Sequence, residues 1–470
     1  MTLNELEIAD LLTEQKFFDF DREVTVARSP GRLDLMGGNV DYTGGIVLQS
    51  TVREGVWAAV QLRQDPMVHL RNPGAANFGW QPDLSLHLDD LNRADSLRQL
   101  CCHSEATRWA TYVGGALHLL RQRGLGFTTC GADIYIYSNL PPNKGVSSSA
   151  ALEIAVLKAA SAACGSPLTG HALAKAGQWV ENEIANSACG IMDQAAVVYG
   201  QEDTLLPLLC QPLHVYPTLP LPAGVKVWGI DSMTTRSTVS TEYEQARAAA
   251  FMAYTILCRQ RDLHLTLDDA GAVPRWKDPL WNGYLSNLEP SIFRAGYEAS
   301  LPEALSGAEF LQNYAHHADP FTTVRAGSIY PVRAAARYAI EENERIQQLT
   351  SIFRNWSTQP PDPEELGELM SRSHNAYREC GLGSDRCDDL VEMVRRAGPN
   401  AGLYGARMTG GGGGGTVAVL GADHGAQALS EIVREFGQPY GQTPHVFEGS
   451  SAGADSFHGE GFRHFAMQAR

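Results

Sequence analysis

The chain has 470 residues, 44% of them hydrophobic and 19% charged, and a net charge of −16. That length exceeds one ordinary core, so two domains are expected, and the composition is that of a globular protein rather than a disordered one. The acidic balance leaves no basic footprint for nucleic acid or an anionic membrane, although it leaves room for a locally positive site.

Val24–Ala27 reads as a strand leading into Ser29–Gly45, SPGRLDLMGGNVDYTGG. This stretch is too polar and glycine-rich for a core strand, and Arg32 and Asp41 make it too charged for an idle turn. Ile46–Val60 is rich in valine and predicts one or two strands. Between Glu105 and Arg121, Trp109, Tyr112, Val113, Ala116 and Leu119 recur at helical spacing. Cys130–Tyr137 alternates like a strand, and a small-and-aliphatic helix is expected over Ser149–Ala163. Ala172–Ala185 also reads as helical. The proline-rich Leu219–Pro222 precedes an expected strand, Lys226–Ile230, and places a division between an N-terminal domain, 1–220, and a C-terminal one, 221–470. Residues 235–350 read as mostly helical, and Asp362–Gly381 and Arg386–Gly398 as two more helices. The glycine run Gly410–Gly415 is followed by an apolar strand, Thr416–Leu420. His316-His317 reads as a solvated pair, not a metal site.

The nine cysteines are scattered, odd in number and without a CxxC pair, which predicts reduced thiols in a cytoplasmic protein. Met1–Asp21 has no apolar run with a cleavage site, and no window approaches 18 apolar residues, so neither a signal peptide nor a membrane span is expected.

Three segments bear chemistry. Leu140–Ala151, LPPNKGVSSSAA, joins an expected strand to an expected helix. A helix start has unpaired N–H groups and partial positive charge, so it suits an anion. Three serines add hydroxyls, and Gly145 allows close approach. The stretch alone fits a plain serine cap as well as a phosphate cradle, and it is no Walker A loop. In Cys189–Gln194, CGIMDQ, Asp193 is a carboxylate among small apolar residues; with Glu181 it suits a base or metal ligand, or simply a helix cap. The glycine run carries no reactive side chain but lets backbone pass close to a ligand or loop.

In order along the chain, GRLDLMGGNVDYTGG, PPNKGVSSSAA, CGIMDQ and RMTGGGGGG resemble the motifs of the GHMP small-molecule kinases, galactokinase branch. Arg108–Val113, RWATYV, resembles that branch's tryptophan helix. Lys144–Ser147, Leu209–Pro212, Trp228–Ser232, Cys380–Asp385 and Phe447–Ser451 bring the resemblance nearest to the kinase portion of plant-type L-arabinokinases. The resemblance implies a two-domain α+β fold with its site in the inter-domain cleft. It also implies a sugar 1-kinase using ATP and Mg²⁺, with L-arabinose as substrate and D-galactose as the second reading. Ser147 and Ser148, with Lys144 and Gly145, would meet ATP phosphates, and Trp109 and Tyr112 would line the adenine pocket. Ser149 and Glu181 would ligate Mg²⁺. Asp193 and Arg32 would be catalytic, and Asp41 and Tyr243 would hold the sugar.

Two positions depart from that pattern. Lys144 replaces a small residue; it suits either a charge near the triphosphate or a solvated loop. Gly38-Asn39 replaces a Glu-His pair that the resemblance assigns to the exocyclic hydroxyl of a hexose. L-arabinopyranose shares galactose's ring hydroxyls but lacks that group. A site without the Glu leaves no buried carboxylate unpaired when the pentose binds. Gly38 and Asn39 are therefore expected at the sugar site. A catalytically silent sugar and ATP sensor is the rival from another class, and intact Ser147–Ser149, Glu181 and Asp193 weigh against it.

Overall fold

The computed structural model describes residues 17–19, 21–235, 241–263, 266–268, 275–456 and 462–466. Among them a large sheet contains β1 (Glu23–Met36), β2 (Ile46–Leu62), β3 (Met67–Arg71), β4 (Asp83–His87), β5 (Ala132–Ser138), β6 (Thr204–Cys210), β7 (Leu213–Val215) and β8 (Leu219–Pro220). Its spine runs β1-β2-β5-β3-β4, with β3 and β5 parallel and the other neighbours antiparallel. The long β2 serves two partners: Ile46–Gln49 pairs with β6 and Val56–Leu62 with β5. A second, antiparallel sheet contains β9 (Val225–Asp231), β14 (Leu403–Met408), β15 (Thr416–Ala422) and β16 (Val446–Glu448), ordered β14-β15-β9-β16. Two short ribbons, β10 (Thr266–Asp268) with β11 (Arg275–Lys277) and β12 (Leu305–Ser306) with β13 (Ile329–Tyr330), lie between them in sequence. The last strand, β17 (Phe462–Ala466), returns to the large sheet and pairs antiparallel with β1.

The helices are α1 (Ala94–Cys101), α2 (Ala110–Gln122), α3 (Ser148–Ala163), α4 (Gly170–Trp179), α5 (Met192–Tyr199), α6 (Thr241–Gln260), α7 (Pro290–Gly296), α8 (Gly307–Tyr314), α9 (Val332–Asn355), α10 (Pro363–Tyr377), α11 (Asp385–Ala397) and α12 (Ala426–Gly437). α3 is apolar nearly all round because it is buried all round, packed against β1 and β2. One core joins the two sheets: Leu33, Ile230, Val417 and Phe447 belong to a single buried cluster. A second core, among α6, α7, α8 and α9, includes Tyr42, Phe293 and Phe310.

The opening motif corrects the expectation that Ser29–Gly45 is too polar for a core strand. Strand β1 does not end at Ala27 but runs through Ser29–Met36, buried throughout. Breaks in register between Pro30 and Arg32 and between Asp34 and Met36 bend it and re-aim its side chains. Its charges are tolerated because each finds a partner: Arg407 Nη1 donates to Asp34 Oδ2 at 2.9 Å, and Gln49 Nε2 to Asp34 Oδ1 at 2.7 Å. Two expected helices are also interrupted. Glu105–Thr107 forms a tight turn before α2, and a wide π turn, Val180–Ile184, follows α4 and carries Glu181. No disulfide joins the nine cysteines. Among the described residues no helix is long and apolar enough to cross a membrane.

Candidate active site

The loop between β5 and α3 is built for close approach by an anion. Asn143, Gly145 and Ser147 have φ of 60°, 72° and 60°, and such alternation turns backbone N–H groups toward one side. Ser148 and Ser149 then open α3, whose N-terminus adds partial positive charge. The hydroxyl of Ser147 is buried and has no hydrogen-bond partner among the described residues, an orphan that a phosphate oxygen would satisfy. A cavity of about 640 Å³ opens on this loop. Ser147, Ser148, Ser149 and Asp193 line one end, and Phe78, Trp80, Trp109 and Tyr112 form an aromatic wall. Trp109 is fixed by its indole N–H, which donates to the Gln81 carbonyl at 2.9 Å.

Asp193 sits in the first turn of α5, and Arg32 comes from the bent part of β1. Arg32 Nη2 and Nε donate to Asp193 Oδ1 at 2.6 and 3.1 Å, and Nη1 donates to the Gly145 carbonyl at 2.6 Å. One buried guanidinium thus ties the carboxylate to the serine loop. Behind them lies a chain of acids. Ser149 Oγ donates to Glu181 Oε1 at 3.1 Å, and Gln194 Nε2 donates to Glu181 Oε2 at 2.8 Å and to Glu153 Oε2 at 3.2 Å. Burial, then the nearby Asp193 charge, push the Glu181 carboxyl up to about 7. Glu153 is pushed well above the carboxylate range by burial and then by Glu181. The oxygens of Ser149 and Glu181, beside a phosphate cradle, are hard donors that fit Mg²⁺.

Of the expected sugar residues, Asp41 lies within reach of the Asp193 charge, and Tyr243 packs on its neighbour Tyr42. Asp41 is buried, with the backbone N–H groups of Tyr42 and Met192 facing its carboxylate. Burial, then Asp193, raise it to about 6, against the pull of Arg247. It rests against Gly190, where a Cβ would stand 1.7 Å from Asp41 Oδ2, so only glycine fits there. The Tyr243 ring, from the first turn of α6, meets the Tyr42 ring edge to face at 6.2 Å.

Three expectations need correcting. A Cβ at Gly38 would lie 2.4 Å from the Gly410 carbonyl, 2.5 Å from Asp34 Oδ2 and 2.9 Å from the Tyr377 hydroxyl. Gly38 therefore faces packed protein, not a vacancy beside a sugar. Asn39, at φ 63°, donates its side-chain amide to the Gly411 carbonyl at 3.1 Å, so it braces the glycine run rather than lining a cavity. Lys144 is neither solvated nor aimed freely at a ligand: its Nζ is 2.9 Å from Asp231 Oδ2, a carboxylate of β9 that lines the cavity. The glycine run itself closes over the serine loop. Gly415 has φ 92° and would place a Cβ 2.6 Å from the Lys144 carbonyl, which also accepts from the Thr416 hydroxyl at 2.8 Å.

Sequence reasoning missed Glu153, Gln194, Asp231, Phe78 and Trp80. For Glu153 a signal existed: a single carboxylate inside the apolar run Ala150–Leu157 must be buried with a partner or neutral. Phe78 and Trp80 gave none, because they come from a loop far from every motif.

Residues 111–201 match the GHMP kinases N terminal domain, 351–438 the GHMP kinases C terminal, and 15–62 the galactokinase galactose-binding signature. The chain is 33% identical to the L-arabinokinase of Arabidopsis thaliana over 94% of its own length and 47% of that relative's, so it spans about half of it. It is 28% identical to the galactokinase of Pasteurella multocida, covering 87% of this chain and 88% of that one. The crystal structure of Lactococcus lactis galactokinase complexed with galactose superposes with a TM-score of 0.72 at 21% identity, over 95% of this chain and 99% of that one. A mevalonate kinase superposes at 0.54 and 15% identity, over 91% and 99% of the two chains, a likeness of fold alone.

Proposed function

The chain belongs to the GHMP kinase family, and from that membership we propose that it is an ATP-dependent sugar 1-kinase that phosphorylates the anomeric hydroxyl of L-arabinose. Residues 1–220 would supply the serine loop and Asp193, and 221–470 the glycine run over it. The aromatic wall takes the adenine, and the backbone N–H groups and hydroxyls of Ser147–Ser149 take the phosphates. Ser149 and Glu181 would hold Mg²⁺, which supplies charge neutralisation on the triphosphate. Asp41 and Tyr243 hold the ring of the sugar.

In the reaction the anomeric oxygen forms a bond to the γ-phosphorus while the bond to the bridging β–γ oxygen breaks and ADP leaves. Asp193 accepts the anomeric proton. Arg32 keeps that carboxylate aimed, and its fixed positive charge offsets charge developing beside the serine loop.

The arabinose reading is carried by the likeness to the Arabidopsis thaliana L-arabinokinase, 33% identical over 94% of this chain. At Gly38, where the resemblance implies a Glu in galactokinases, this chain has packed protein, including the Tyr377 hydroxyl, which donates to Gly410, and the Tyr338 hydroxyl, which donates to the Gly38 carbonyl at 2.6 Å. Both hydroxyls are satisfied internally, so a pentose leaves no buried polar group unpaired. The galactose-binding signature supports D-galactose as the second reading. The test is kcat/KM for L-arabinose, D-galactose and D-fucose measured side by side. L-arabinose should be preferred; a preference for D-galactose would overturn the reading.

A further inference from the structure

The segment His317–Thr322 is far in sequence from every motif above, yet it reaches the sugar side. Arg247 stands one helical turn after Tyr243 on α6, on the same face. Its Nε donates to Asp319 Oδ2 at 2.8 Å and its Nη2 to Oδ1 at 2.9 Å, with both side chains buried. Asp319 is itself fixed: the Thr322 hydroxyl donates to Oδ2 at 2.6 Å, and the Asp319 N–H donates to His317 Nδ1 at 3.2 Å. His317, expected to be solvated, is therefore a buried brace. The guanidinium lies over the rings of Tyr42, at 4.9 Å, and Phe321, at 5.3 Å.

The remaining nitrogen of this guanidinium, Nη1, is buried without a hydrogen bond of good geometry among the described residues, although the guanidinium also feels the neighbouring Tyr243 hydroxyl. A rigid fork with one edge on Asp319 cannot turn that nitrogen to the same carboxylate. Burying it unmet is costly unless a ligand meets it. Asp41 feels the Arg247 charge, which draws its carboxyl down against burial, yet makes no ion pair with it. A sugar hydroxyl both donates and accepts, so between an acceptor-only carboxylate and a donor-only guanidinium it satisfies both.

We propose that Arg247 is a sugar-binding residue: its Nη1 donates to a ring hydroxyl of a galacto-configured pyranose that in turn donates to Asp41, and Asp319 is the positioning residue that aims it. This rests on the reading that Asp41 holds the sugar.

The test is titration calorimetry of the full chain with L-arabinose, D-galactose and ATP, paired with steady-state kinetics. Arg247→Lys keeps the charge but loses the fork, and should weaken sugar binding at least tenfold with ATP binding within twofold of wild type. Asp319→Asn should raise the sugar KM several-fold with kcat nearly unchanged, a split that general loss of folded protein would not give. Should either variant fail to fold, Thr322→Val removes only a hydroxyl behind Asp319 and should still weaken sugar binding at least twofold. Sugar affinity unchanged in a folded Arg247→Lys protein, or in Thr322→Val where Arg247→Lys does not fold, overturns the proposal alone. A wild-type protein that binds neither sugar overturns the functional reading and this proposal with it.

Discussion

Arg32 and Asp193, 161 residues apart in the chain, meet through two hydrogen bonds to one oxygen, Asp193 Oδ1, at 2.6 and 3.1 Å. Both bonds fall on the same oxygen, so Oδ2 is left for a substrate proton. Asp193→Asn should keep ATP and sugar binding within a few-fold but lower kcat by about 10²–10⁴. Arg32→Lys cannot hold Oδ1 and the Gly145 carbonyl together, and should lower kcat by a similar order. Single-turnover phosphorylation with separate binding titrations reads both, and an active Asp193→Asn enzyme would remove the assigned base.

Asp41 gives the pH dependence. Its carboxyl is raised to about 6 in the folded protein, above the ordinary carboxylate value, by burial and then by Asp193. The sugar needs the ionised form as acceptor, so kcat/KM for sugar should rise about tenfold per pH unit below 6 and level off above it. Stability runs the other way. A carboxyl raised on folding contributes stability that is present below its unfolded value and lost as pH rises through about 6. Asp41→Asn should flatten that fall in melting temperature between pH 4 and 7 and abolish sugar binding. A flat kcat/KM profile from pH 5 to 7 in the wild type would contradict the role.

Gly38→Ala tests how full that corner is. Its Cβ would meet a backbone carbonyl at 2.4 Å, an atom that cannot swing away. The expected loss is about 1–3 kcal/mol in chemical denaturation, from overpacking. Tyr377→Phe removes the bond to Gly410 and should cost about 1 kcal/mol. The double variant Gly38→Ala, Tyr377→Phe should cost less than the sum, since the phenol oxygen is one of the clashing atoms. Strict additivity would mean the two do not share space.

Lys144 and Asp231 should move ATP affinity in opposite directions. Their ion pair, at 2.9 Å, spends the lysine charge on a carboxylate that lines the nucleotide cavity. Asp231→Asn frees the ammonium and removes a repulsive anion, so KM for ATP should fall a few-fold. Lys144→Met leaves Asp231 facing the triphosphate and should raise it about tenfold, most clearly at low salt. Equal shifts of the same sign in both variants would make the pair a structural tie only.

The sequence by itself determined the family motifs and the local elements that carry them. Ser147–Ser149 at a helix start, Asp193 in a helix's first turn, the glycine run before β15 and the mixture of strand and helix follow from local rules of capping, periodicity and backbone freedom. Only the tertiary structure decided what each group touches. It carried β1 through a polar stretch by giving Arg32 and Asp34 partners from 161 and 373 residues away. It filled the space beside Gly38 with Tyr377 and Gly410, turned Asn39 to the glycine run, and spent Lys144 on Asp231. It also brought Asp319 to Arg247 and Glu153 to Gln194. The reason is that burial makes partners compulsory without saying which they are. A charge withdrawn from water must be met or neutralised, and what meets it is fixed by how distant elements pack, which no local pattern records.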